Sequence, residues 1–439
     1  MADLSRKVIA LFALGAGLVG GLVLSAAEAP VAVSDRGGAV GDPELPDPVR
    51  VIVRFRPGAD AGDRAGARRA ASAELEDVLP VSRMQLVDPT PGTSVRSAVE
   101  RLERSPAVAY AEPDLPRAAL ARPNDTYFDL LWGLHNTGQT VAGRAGTVDA
   151  DVDGEEAWDV TTGAAGVTVA VVDSGVDAGH PDLAPNMAEG HDWVDGDADP
   201  ADLNGHGTHV AGTIAARGND GTGVAGVAWR ASLVPLRVLD AEGSGYVSDV
   251  IQAYAHARDR KLRVVNASLG GDSYSQAERD TIASAPETLF VVAAGNDGAD
   301  NDATGSFPCN YDLVNVVCVA ATDQDDQLAG FSNRGAVTVD LAAPGVNVAS
   351  TWPGADWAFL DGTSMATPHV AGAAALLWSA LPSATVADVR NILLDTVEPE
   401  RSLLDVTATG GRLNTAGAVR HAAAVARGEA EVPPPPVGA

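Results

Sequence analysis

Val167 to Asp177 read VTVAVVDSGVD, a run of Val, Ala and Thr that stops at Asp173 and turns through Gly175. Apolar residues fill successive positions and do not alternate with polar ones. That is the pattern of a strand covered on both faces, as in parallel sheets packed between helices. Outward from it the same texture returns in SLVPLRVLD (Ser232–Asp240), RVVNASL (Arg263–Leu269), LFVVAAG (Leu289–Gly295) and NVVCVAAT (Asn315–Thr322). Helical segments fall between these runs, one following HGTHVAGTIAA from His206 and another near Ser248 to Arg260. The alternation predicts an α/β body with a mostly parallel central sheet over residues 124–424.

In open α/β sheets reactive groups gather beyond the carboxyl ends of the strands. Asp173 ends one such strand, and alone it reads equally as a capping or turn residue. His206 lies between Gly205 and Gly207 at the start of an Ala/Val helix, where its imidazole is expected to sit uncrowded. A metal reading through His206 and His209 lacks the Glu that follows the first His in metalloprotease helices, because Gly207 stands there. Ser364 opens the apolar helical stretch in DGTSMATPHVAGAAALLWSA, either as a cap or as a nucleophile whose oxyanion the helix start would stabilise. Asn296, at the end of LFVVAAGND, is either a turn residue or an amide donor to that oxyanion.

The order Asp173, His206, Ser364 is the subtilisin order; α/β-hydrolases run Ser, Asp, His and need a second glycine where Ala366 stands. With DSGVD and HPDL, NGHGTHVAGT, AAGN and GTSMATPHVAG in sequence, the chain from Asn124 to Ala424 resembles the subtilisin-like serine proteases of the thermitase type. The resemblance implies a subtilisin-like three-layer fold and a serine endopeptidase. In it His206 takes the proton from Ser364, Asp173 orients the imidazole, and Asn296 with the Ser364 N–H holds the oxyanion. It also implies that Gly243, Ser244, Gly245 and Ser268, Leu269, Gly270 form the edges to which an extended substrate adds as a strand. A catalytically silent relative that binds a partner is the alternative, and the intact Asp173, His206, Ser364 and Asn296 argue against it.

Calcium is the cofactor the resemblance implies, as a structural ion. Asp125, Asp182 and Asp220, the last in RGNDGTGVAG, match calcium-binding positions of thermitase-type relatives. Asp192, Asp195, Asp197 and Asp199 crowd together as a second candidate, against the reading of a solvated acidic loop. Cys309 and Cys318 are the sole cysteines and are expected to pair in an exported protein, with two reduced core thiols as the alternative. Their segment, FPCNYDLVNVVC, departs from many relatives and falls near the expected substrate side-chain pocket.

Fifty-nine acidic against 30 basic residues give a net charge of -29, which repels nucleic acid and anionic membrane surfaces. Neither is expected as a partner. Arg6 and Lys7, the apolar run Val8 to Leu24 and then Ser25, Ala26 and Ala27 have the order of a secretory signal over 1–29, with an uncleaved anchor as the alternative. Signal removal would leave a secreted, extracellular protein with no membrane association. Residues 30–48 read as a linker, and residues 49–116 as a small α+β unit similar to the family's inhibitory propeptide. Its elements are a strand VRVIVRF, a helix from about Asp63 to Glu76, a strand near Met84 to Val87, a helix from about Ser94 to Arg104 and a strand AVAYAEP. The propeptide is expected to act as inhibitor and folding aid, with a processing junction at Arg117 to Asn124. Residues 425–439, ending in EVPPPPVGA, are expected to be disordered, and the protein to be a monomer acting on protein or peptide substrates.

Overall fold

The computed structural model describes residues 8–10, 50–114 and 122–435. The described residues form two compact units, one of 50–114 and the other of 8–10 and 122–435. The expected signal beyond Val8–Ala10, the linker and most of the processing junction lie outside the described residues.

The first unit runs β1 (Val51–Phe55), α1 (Ala61–Ala70), β2 (Ala73–Val78), β3 (Met84–Pro89), α2 (Val95–Glu103) and β4 (Val108–Pro113). Its antiparallel sheet has the order β2-β3-β1-β4. Val51, Val53 and Phe55 alternate onto a core shared with Ala67, Ala98 and Leu102 of the two helices. The helix expected to reach Glu76 stops at Ala70. Ser72 takes a left-handed φ of 53°, and the chain then pairs with β3 as an exposed edge strand. Glu74 to Val78 have no apolar face for a helix to bury, so pairing decides their state.

The second unit centres on a sheet built from β5 (Thr168–Asp173), β6 (His191–Asp192), β7 (Ser232–Arg237), β8 (Val264–Ala267), β9 (Leu289–Ala293), β10 (Val316–Thr322), β11 (Leu341–Pro344), β12 (Glu398–Pro399) and β13 (Gly411–Arg412). Their order is β12-β13-β11-β10-β9-β8-β5-β7-β6, parallel except at β12. Val169 and Val171 enter one core with α3 (His206–Ala215), α6 (Thr363–Ala380), α7 (Val386–Asp395) and α8 (Thr415–Ala426). Ala170 and Val172 enter the other, with α4 (Val247–Asp259) and α5 (Gln276–Ala283). Unbroken apolar strands are thus the strands of a three-layer fold, each buried Val or Leu side chain contributing about 1.5–3 kcal/mol. The chain moves from β5 out to β7 and returns on the other side of β5 as β8. That reversal opens a crevice beyond the carboxyl ends of β5 and β8.

Two expectations are corrected. The terminal segment 425–439 is not wholly without structure: α8 continues through Ala426, Val432 packs against the core, and Asn391 Nδ2 donates to Pro433 O at 3.1 Å. The acidic loop proposed as a second calcium site already has a cation. Buried Arg237 reaches Asp192 Oδ2 at 2.5 Å and Asp195 Oδ2 at 2.6 Å. Asp192 Oδ1 accepts from Val194 N and Asp195 N, while Asp197 Oδ1 accepts from Asp199 N, so Asp192 and Asp197 serve a loop closed on an arginine. Replacing Arg237 by Met should leave the fully buried Asp192 uncompensated and cost about 3–5 kcal/mol in denaturant unfolding. Rescue of that variant by added calcium would reinstate the metal reading.

Candidate active site

Asp173 is the last residue of β5 and fully buried; its backbone carbonyl accepts from Val238 N and Leu239 N, which locks the strand end. Its Oδ1 accepts from Ser174 N at 2.7 Å and from His206 Nδ1 at 2.8 Å, and Oδ2 lies 3.0 Å from the same nitrogen. A carboxylate partner places the ring proton on Nδ1 and leaves the lone pair on Nε2. His206 opens α3 and is 5% exposed, so it is not uncrowded as expected. The flanking glycines serve close approach. A Cβ at Gly205 would stand 2.4 Å from the Trp352 ring, and one at Gly207 2.1 Å from Gly175 O and 3.1 Å from Asp173 Cβ. His209 points elsewhere, with Nε2 at 3.0 Å from Val348 O and 3.1 Å from Ala358 O, and burial pushes its pKa down to about 3. It ties α3 to the antiparallel hairpin of Val348–Trp352 and Asp356–Leu360 and shares no metal with His206.

Asp202, which the motif reading passed over, organises this approach. Its carboxylate accepts from Ser174 Oγ, Asn204 N, Gly205 N, Thr208 N and Thr208 Oγ1, and Ser174 Oγ in turn accepts from Gly207 N at 3.0 Å. An Asp four residues before a helix-opening His was the available signal.

Ser364 is the second residue of α6, where backbone N–H groups have no partner within the helix. Gly362 before it has φ 153° and ψ 157°, a conformation essentially confined to glycine. Asn296 Oδ1 accepts from Thr363 N and Thr363 Oγ1, both at 2.9 Å, which fixes the carboxamide beside the helix start. Pro368 lies four residues after Ser364 and brings no N–H to the Ser364 carbonyl; Ser268 Oγ donates to it instead, at 2.9 Å. Ser364 Oγ donates to Ser268 O at 3.2 Å, and buried His206 Nε2 makes no hydrogen bond with the described residues.

Of the residues expected to form the substrate edges, Ser268 contacts this arrangement directly. Leu269 is fully buried, and Gly271 beyond it exchanges two 2.9 Å hydrogen bonds with Phe307. Asp240 Oδ1 accepts from Ser244 N and pins the turn through Gly243, whose φ is 76°. Val8–Ala10 pairs antiparallel with Ser244–Tyr246, with Ile9 opposite Gly245. Cys309 and Cys318 form the expected disulfide, with Cα atoms 5.1 Å apart.

Of the first calcium candidates, Asp125 and Asp182 are buried on either side of the loop 219–224. Asp125 Oδ2 accepts from Asn219 N, and Asp182 Oδ2 from Val224 N and Trp357 Nε1, while Oδ1 of each is buried without a hydrogen bond. Desolvation pushes both pKa values up to about 6, and both feel the charge of Asp220. Asp220 itself is exposed and accepts from Thr222 N. Among the described residues no group of three or more His, Cys, Asp or Glu side chains is arranged to hold a metal.

Ser268→Ala should strand the Ser364 carbonyl and cost about 1–3 kcal/mol in unfolding experiments. Adding Pro368→Ala restores a backbone N–H four residues on and should recover part of that loss; no recovery would show that the Ser268 hydroxyl does not complete the helix.

Residues 164–421 match the Subtilase family and residues 49–114 the fervidolysin N-terminal prodomain. A thermophilic serine proteinase of Bacillus sp. strain AK1 is 38% identical, over 84% of this chain and 87% of its own. Thermitase of Thermoactinomyces vulgaris is 40% identical, over 62% of this chain and 94% of its own. A solved protease structure from Pseudoalteromonas arctica superposes with a TM-score of 0.60 at 34% identity, covering 69% of this chain and all (100%) of that one. The chain therefore belongs to the subtilase family and is a serine endopeptidase made as a zymogen behind an N-terminal prodomain.

Proposed function

We propose that this endopeptidase is secreted and cleaves protein substrates through an acyl-enzyme on Ser364. The observation that carries the reading is the Asp173 to His206 Nδ1 hydrogen bond beside a helix start that presents Ser364 next to the fixed carboxamide of Asn296. His206 Nε2 would take the Ser364 proton as Oγ leaves Ser268 O and attacks the peptide carbonyl. The imidazolium formed is stabilised by Asp173 and then protonates the leaving amine. Asn296 Nδ2 and the Ser364 N–H would receive the oxyanion. Water, deprotonated by His206, releases the acyl group and restores Ser364. Extended substrate would pair with Gly243 to Gly245 and with Ser268 to Gly270. The antiparallel seating of Val8–Ala10 on Ser244–Tyr246 supports the first edge as an acceptor of extended chain.

The prodomain is assigned the roles of inhibitor and folding aid, and the body is taken to work as a monomer. Secretion rests on Arg6 and Lys7 ahead of the apolar run Val8 to Leu24. Among the described residues no helix is long and apolar enough to cross a membrane. Expression of Ser364→Ala in a protease-free host should yield a full-length precursor that retains 49–114 and does not react with a fluorophosphonate probe, whereas the parent chain is processed and labelled on Ser364. Processing of the variant to mature size would sink both the nucleophile assignment and self-maturation.

The buried, unpartnered Oδ1 atoms of Asp125 and Asp182 fit a hard cation that takes oxygen ligands, and we assign calcium to the loop 219–224 as a structural ion. In metal-free protein the raised carboxyl pKa values mean that the folded state binds more protons than the unfolded state between pH about 4 and 6, so its stability falls as pH rises through that window. Calcium needs both groups ionised, so its stabilisation grows over the same window. The fall in Tm caused by a chelator should therefore be large at pH 8 and small at pH 5. An unchanged Tm at pH 8 would remove calcium from this loop.

A further inference from the structure

Beneath Asn296 lies a polar cluster that the proposed mechanism does not use. Asn333, 2% exposed, is wrapped around the segment that carries Asn296. Its backbone N–H donates to Gly295 O at 2.9 Å. Its side-chain Oδ1 accepts from Asp297 N at 3.0 Å and from Ala299 N at 2.9 Å. Its Nδ2 donates to Ala294 O at 3.2 Å and to Asn301 Oδ1 at 3.0 Å. One residue therefore holds the chain at positions 294, 295, 297 and 299, on both sides of Asn296. Asn301, equally buried, donates from Nδ2 to the same Ala294 carbonyl at 2.9 Å and to Cys309 Sγ at 3.4 Å, which ties the pair to the disulfide.

Gly295 makes the arrangement sterically specific. Its φ is 114°, and a Cβ there would stand 2.4 Å from Asn333 Nδ2. The Asn333 amide thus occupies the space a side chain at 295 would take, and the turn it supports aims the next residue at the start of α6. Thr363 holds the Asn296 carboxamide from the front, while Asn333 holds its backbone from behind.

We propose that Asn333 is a positioning residue for the oxyanion donor Asn296, with Asn301 as its brace. The proposal rests on the reading of Asn296 as that donor. An oxyanion donor contributes only where it meets the charge that develops in the transition state, so a shift of its backbone lowers kcat and leaves ground-state binding alone. A residue that merely filled space here would lower thermal stability without that signature.

The test uses the processed enzyme, an internally quenched peptide that the parent cleaves, and a peptide boronic acid as a tetrahedral adduct of the nucleophile. Asn296→Ala, Asn333→Ala and the double variant are compared. Asn333→Ala should lower kcat about ten- to a hundredfold with KM within about twofold, and weaken the boronic acid in the same proportion. In the Asn296→Ala background the same substitution should cost less than about threefold, because the donor it positions is gone. If Asn333→Ala gives no folded enzyme, Asn333→Asp, which keeps the acceptor for Asp297 and Ala299 and loses the Nδ2 donor, is read by the same criteria. Losses that multiply in the double variant, or a fall in Tm with kcat unchanged, would overturn the positioning role while leaving Asn296 as the donor. A loss of less than about tenfold from Asn296→Ala alone would overturn the oxyanion reading, and this inference with it.

Discussion

Asp173 has no access to solvent, and an ionised carboxylate in that position is tolerable only where hydrogen bonds replace its lost water. Ser174 N and His206 Nδ1 supply them, and much of the local architecture exists to bring that imidazole to that strand end. The first turn of α3 has to lie against the turn after β5 with no side chain between, which Gly207 permits against Gly175 O and Gly205 permits against Trp352. Asp202 then ties the approach together by collecting donors from Ser174, Gly205 and Thr208. The sheet topology supplies the place, because the reversal between β7 and β8 leaves the carboxyl end of β5 open.

The start of α6 follows the same logic with the opposite charge. Partial positive charge at a helix N-terminus and unpaired N–H groups suit an oxyanion, provided nothing else consumes them. Gly362 delivers the chain in a conformation other residues avoid, and Thr363 takes the oxygen side of Asn296. Pro368 interrupts the helix ladder at the one carbonyl, that of Ser364, which Ser268 can reach from β8's end. In the proposed reaction such groups are already oriented when charge develops, so little reorganisation is left for that step.

Buried carboxylates elsewhere meet the same desolvation problem in different ways. Asp192 has Arg237. Asp326, together with the partly exposed Glu398, has Arg412, itself almost without exposure. Asp125 and Asp182 keep one oxygen each without a partner, and for them the proposed solution is a metal ion. A chain of net charge -29 has few arginines to spend on its interior, so a bound cation is a consistent answer where none reaches.

Periodicity and motif order were enough to place the strands and to single out Asp173, His206, Ser364 and Asn296 as the candidate reacting groups, because unbroken apolar runs with glycine-bordered polar ends have few other uses in an α/β chain. The pairing of Cys309 with Cys318 was likewise legible from their number and from the expectation of export. Local pattern failed where a segment's state is set by its partner. The strand at Ala73–Val78 depends on pairing with the next strand, Met84–Pro89, and the acidic loop depends on Arg237, 45 positions beyond Asp192. Asp202 and Asn333 lie outside the quoted motifs, and their contacts, like those of Thr363, appear only once Ser174, Ala294 and Asn296 are beside them. The sequence by itself therefore determined the layers and the choice of candidate reacting groups, since burial pattern and side-chain chemistry are properties of residues. The tertiary structure decided which buried polar atoms are satisfied and by whom, since hydrogen bonds and ion pairs depend on distances that no local stretch of chain contains.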